Sequence, residues 1–99
     1  MDVRQSASWM CQLDERILEY LAEESWSSPG IMEKEFQFTA SKCRIAERCE
    51  ILAHVELVAP IYRDHYEITG QGQRYLDCEY DPTWFRLPYA ARRKMRGLD

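Results

Sequence analysis

The stretch from Ser28 to Leu76 constrains this chain more than any other part, because it sets out helix and strand signals in a fixed order. Ser28-Pro29 opens a helical pattern, with serine at the cap and proline at the first helical position, where its missing N–H does no harm. Gln37-Phe38-Thr39-Ala40 reads as a turn without glycine, and Ser41 caps the next helix. Leu57-Val58-Ala59-Pro60-Ile61 and Tyr66-Glu67-Ile68 read as short strands, the first confined by Pro60 to a sheet edge. Tyr62-Arg63-Asp64-His65 joins them, and Thr69 starts a helix predicted to run from Gly70 to about Glu79.

A further helix precedes this stretch. In Leu13-Asp14-Glu15-Arg16-Ile17-Leu18-Glu19-Tyr20-Leu21, Asp14 is the expected N-cap, with Leu13 stapling against Leu18. Ile17, Leu18 and Leu21 form its inward stripe, and the acids between them are expected to face water. In the Ser28 helix, Ile31, Met32 and Phe36 form the apolar face. In the Ser41 helix, Ile45, Cys49, Leu52 and Ala53 recur at helical spacing and are predicted to point inward, while Lys42, Arg44, Glu47, Arg48 and Ile51 lie off that stripe. Tyr75 and Leu76 return the last helix to the core, with Gly72 allowing close approach.

Ninety-nine residues suffice for one domain with a modest core. The expected division is a body over residues 1–80 and a helical tail over residues 81–99. Trp84, Phe85, Leu87 and Tyr89 are too many large apolar groups for a solvated tail, so they are expected to cover the body or a second copy. The body carries a net −7 and the tail +3, within a total of −4. Such a body opposes the approach of nucleic acid except where basic groups cluster. No stretch is apolar enough to span a membrane and MDVRQSASWM lacks a secretory apolar run, so a soluble cytoplasmic protein is expected. Cys11, Cys43, Cys49 and Cys78 show no zinc-binding spacing and are read as small buried hydrophobes, with no metal and no cofactor.

These parts in this order predict a mostly helical fold with a small two- to three-stranded antiparallel β-wing, a winged helix-turn-helix. The chain also resembles the small winged-helix regulators of halophilic archaea related to the repressor of phage phi-H. The matching pieces are WM-x-x-x-DERILEYL (Trp9 to Leu21), Ser28-Pro29, ERCEILA-x-x-x-LV (Glu47 to Val58) and YEITGQGQRYLDCEYD (Tyr66 to Asp81). Together they cover about residues 9–81, and their order and spacing carry the likeness more than any single motif. The chain departs from that pattern at Glu56, where the family usually has a glycine before the strand.

The resemblance implies a DNA-binding transcriptional regulator, a repressor by analogy, whose partner is double-stranded DNA. Geometry then suggests roles. Ser41 and the helix start are placed for a phosphate, and Lys42, Cys43 and Arg44 lie in the first turn, where Lys42 and Arg44 reach base edges. Glu47 is suited to accept from a cytosine amino group, and Arg48 to contact a base or phosphate one turn on. At the wing tip, Arg63 and His65 are expected at phosphate or the minor groove. In the tail, Arg92, Arg93, Lys94 and Arg96 suit a helix C-terminus and an accessory phosphate clamp. A homodimer is expected, because one small module contacts few bases. No catalytic triad order, phosphate-binding glycine loop or small-molecule site is evident, so the chain is read as a non-enzyme. The competing reading is a winged-helix module that binds protein, which the acidic body favours.

Overall fold

A computed structural model describes residues 9–35 and 38–79 of the chain. Phe36 and the tail over residues 81–99, with its predicted helix and its basic residues Arg92, Arg93, Lys94 and Arg96, lie outside the described residues.

The elements run α1 (Gln12–Glu24), β1 (Trp26–Ser27), α2 (Pro29–Glu33), α3 (Lys42–His54), β2 (Val58–Tyr62), β3 (His65–Ile68) and α4 (Gly70–Leu76). The strands form one antiparallel sheet in the order β1-β3-β2. Pro60 therefore lies on an edge strand, where its missing N–H breaks no ladder. The third strand is Trp26–Ser27, too short to announce itself by alternation, and it exists only through its pairing with Glu67 and Tyr66.

Local signals set several helix starts. The Ser28 hydroxyl accepts from the Ile31 N–H, Ser41 from Arg44, and Thr69 from Gly72. The first helix departs from expectation. Its N-cap is Cys11, and Asp14 lies one turn inside, accepting from the Cys11 N–H at 2.9 Å. Asp14 is fully buried, so the acids of α1 do not all face water. The α2 helix ends at Glu33, with Met32 buried and Ile31 exposed, so its apolar face is narrower than predicted. The last helix ends at Leu76.

The exits of α3 and α4 use left-handed residues that are not glycine, and Ser25 at the end of α1 also has a positive φ, of 71°. After α3, Glu56 has φ 64°, its N–H donates to the Ala53 carbonyl, and the Leu57 N–H reaches back to Leu52. This is a Schellman ending, which glycine usually supplies because it carries no Cβ. Cys78 repeats the arrangement after α4, with φ 64° and the Glu79 N–H donating to the Arg74 carbonyl.

The core gathers Ile17, Leu18 and Leu21 of α1 with Met32, Phe38, Ile45, Cys49, Leu52, Val58 and Tyr75. Ile51 belongs to it as well and is fully buried, contrary to its predicted place off the inward stripe. A wide inward arc on α3 accounts for this, because the helix packs against α1, α2 and the sheet together. Gly72 permits the close approach expected of it, since a Cβ there would lie 2.6 Å from Ile68 Cγ1 and collide with the Leu57 carbonyl oxygen. Among the cysteines, Cys49 is buried and Cys11 and Cys78 are half-buried. Cys43 is exposed, so the reading of all four as buried hydrophobes fails there, because its place in the first turn of α3 faces away from the core.

Candidate nucleic-acid interface

The third helix is the element a winged helix-turn-helix would present to DNA, and its outward surface is uneven in charge. Cys43, Glu50 and His54 are exposed and Glu47 is half-buried, so the stripe spaced 43, 47, 50, 54 along the cylinder is acidic in its middle. Cations appear only in the first turn, where Lys42 is exposed and Arg44 half-buried. The basic part of the face is thus the head of the helix, as predicted, and it extends no further.

Arg48 does not belong to that surface, which corrects its predicted role. Its guanidinium donates through Nε to Asp14 Oδ1 at 2.8 Å and through one terminal nitrogen to Asp14 Oδ2 at 2.6 Å. The same nitrogen donates to the Trp9 carbonyl at 3.0 Å. The side chain is 4% exposed and Asp14 0%. Burial works against the guanidinium charge, but the bonds and charge of Asp14 outweigh it and hold its pKa above the ordinary value. With three of its five N–H donors spent inside the protein and its side chain buried, the group is turned away from any base or phosphate. Sequence reasoning missed the pairing because helical spacing puts position 48 at the border of the inward arc and gives no sign of a carboxylate waiting there.

The start of α3 is also more occupied than expected. Ser41 accepts from the Arg44 N–H at 3.2 Å, and Glu33, the last residue of α2, accepts from the Lys42 N–H at 2.6 Å. Two of the free amides expected to attract a phosphate are therefore satisfied within the protein, one of them by a carboxylate. Lys42 leans back toward α2, its Cε 3.7 Å from where a Cβ on Gly30 would stand.

The wing residues gather elsewhere. Arg63 occupies the turn with φ 53° and sets its guanidinium 5.3 Å from the Tyr62 ring centre. His65 Nδ1 lies 3.0 Å from the Tyr62 carbonyl oxygen, and its ring stands 5.1 Å from that of Trp26. Arg63 and His65 thus both meet aromatic side chains of the wing. Among the described residues, no cluster of three or more His, Cys, Asp or Glu is arranged to hold a metal ion. No helix there is long and apolar enough to cross a membrane.

The geometry has relatives. The family profile of the winged helix-turn-helix phage repressors matches residues 3–85. The structure is similar to the crystal structure of the PhiH1 repressor-like protein from Haloarcula marismortui, with 38% sequence identity and a TM-score of 0.83. That likeness covers 89% of this chain and 100% of the other. No curated protein matches the chain. With four helices and three strands among its described residues, a capped third helix and this match over most of its length, the chain belongs to the winged helix-turn-helix phage repressor family.

Proposed function

We propose that this protein is a DNA-binding transcriptional regulator, acting as a repressor, that enters the major groove with the head of α3. The observation that carries this reading is the concentration of cationic side chains in the first turn of that helix, the exposed Lys42 and the half-buried Arg44, on an otherwise acidic body. Residues at the N-terminal end of a recognition helix are those that reach base edges, and arginine pairs best with guanine. Glu47, one turn behind, is suited to a cytosine amino group, and Cys43 lies between the two cations. The reading set is therefore Ser41, Lys42, Cys43, Arg44 and Glu47, without Arg48. A homodimer on two half-sites about one helical turn apart supplies the contacts that one such short basic head lacks.

A second reading, a winged helix that binds protein, draws on Glu47 and Glu50, which put carboxylates on the outward stripe of α3. Selection of bound fragments from random duplex DNA, followed by affinity measurements across a salt series, separates the two. A selected sequence whose affinity falls steeply with salt supports the regulator. No retained DNA at any salt concentration supports the protein-binding module.

A further inference from the structure

The wing carries an apolar surface whose three large hydrophobic side chains the DNA reading does not use. Of the four large hydrophobic side chains exposed among the described residues, three, Trp26, Ile61 and Tyr62, line one hollow of about 210 Å³ together with His65. They come from β1, the irregular end of β2 and the first residue of β3, which the sheet order brings side by side. Trp26 pairs with Glu67, and alternation puts Glu67 and His65 on the same outer face of β3, while Ser27 and Tyr66 turn toward the core. An exposed tryptophan packed on a neighbouring ring is not a stray surface residue, and contiguous patches of this kind mark interaction surfaces.

We propose that this outer face of the wing is the seam on which two copies of the chain pair. The inference rests on the homodimer in the reading above and names its surface. Trp26 is 51% exposed, Ile61 45% and Tyr62 65%. With large side chains presenting about 150–250 Å² each, the patch offers roughly 240–400 Å² per copy. Two copies face to face would bury roughly 480–800 Å² of largely apolar surface. A small stable interface buries about 1,200 Å² in all, of which about 56–65% is apolar, so the patch supplies most of that share by itself.

Charge favours the same occupant. Arg63, Asp64 and Glu67 edge the patch and are all exposed, so the rim has mixed sign. A two-fold axis brings the arginine of one copy toward the acids of the other, which suits a self-complementary contact. The two carboxylates disfavour nucleic acid there. No residue of α3 lines the hollow, so pairing leaves Lys42 and Arg44 free to face DNA.

Sedimentation equilibrium of the full chain at tens of micromolar tests the seam, with the double variant Trp26→Ser/Tyr62→Ser and the single variant Ile61→Glu alongside. Thermal unfolding followed by circular dichroism checks that each variant is folded. The expected result is a dimeric parent and folded variants whose dimer dissociation constant rises at least tenfold. Folded variants that stay dimeric as tightly as the parent would overturn the seam and leave the homodimer standing. A parent that is monomeric with and without selected DNA would overturn both. In that case, protection of Trp26 from collisional quenching would assign the patch to the chain's own aromatic tail.

Discussion

Arg48 of α3 and Asp14 of α1 form a two-bond ion pair in the interior, with Nε and a terminal nitrogen each on one carboxylate oxygen. Asp14 also holds the Cys11 N–H, and Arg48 the Trp9 carbonyl. One buried carboxylate therefore caps the start of α1 and anchors the helix proposed to read DNA. The Trp9 carbonyl ties the segment leading into α1 to the same point.

Breaking this pair from one side should be severe. Asp14→Ala or Arg48→Ala leaves an uncompensated charge in a site without water access and is expected to lower stability by about 3–5 kcal/mol. Replacing both with Asp14→Leu/Arg48→Met removes both charges at once and should recover most of that loss. Urea unfolding of the four proteins checks the pattern, and additive losses in the double variant would contradict it.

Glu33 and Arg44 should act on DNA in opposite directions. The Glu33 carboxylate sits on the first amide of α3, where it repels a phosphate. Glu33→Gln keeps an accepting oxygen but removes the charge. At a few ångströms in a water-like medium this is worth about 1 kcal/mol, so low-salt affinity for any duplex should rise roughly five-fold and the gain should fade in high salt. Arg44→Ala should instead lose about 1–3 kcal/mol on a selected site and little on random sequence. Fluorescence anisotropy with both duplexes reads the two effects.

The left-handed exit from α3 and the tight packing of α4 give a matched pair of stability tests. Glu56 has φ 64°, a conformation that carries a steric penalty of roughly 1–2 kcal/mol for a residue with a Cβ. Glu56→Gly should stabilise the fold by up to about 1 kcal/mol once the extra freedom of the unfolded glycine is counted. Gly72→Ala should do the reverse despite its better helix propensity. Its new methyl would meet the Leu57 carbonyl oxygen and Ile68, and overpacking of this kind costs about 1–3 kcal/mol. Chemical denaturation midpoints that move in the same direction for both would refute the assignment.

Cys49 predicts a weakness in alkali. Burial, helped by the charge of Asp14, pushes its thiol from 9.0 up to about 12. Above pH 9 the unfolded thiol ionises while the folded one stays protonated, so the unfolded state binds fewer protons and stability falls as pH rises toward 12. The slope contributed by this one group is at most about 1.4 kcal/mol per pH unit. Burial raises Tyr20 and Tyr66 in the same direction, from their ordinary 10.0. Cys49→Ala should therefore be less stable at pH 7 through its small cavity, yet lose less on going from pH 8.5 to pH 10. Parallel denaturation curves for parent and variant across that range would remove Cys49 as the cause.

Much of the fold was legible because its signals are local. Ser28, Ser41 and Thr69 each cap an amide three residues away, and the inward stripes of α1 and α3 repeat within a turn or two. The likeness to phi-H-type repressors was carried by the same local pieces. The strand–turn–strand around Arg63 needed only β-prone residues on either side of a polar turn. By such means the order of the four helices and of β2 and β3, the position of the third helix and the cations at its head could be read without coordinates.

What remained hidden depended on residues far apart in the chain. Asp14 looks like a cap and Arg48 like a DNA contact until the two meet across 34 positions. Glu33 looks like the solvated end of a helix until it reaches the Lys42 amide nine residues on. Trp26 looks like loop until β3 pairs with it and leaves its ring outside. Sequence patterns of capping and periodicity determined which segments fold and which way they face, because those effects act within one or two helical turns. Only the tertiary structure decided which charges are spent inside the protein and which stay available to a partner, because that depends on where separate elements come to rest against each other.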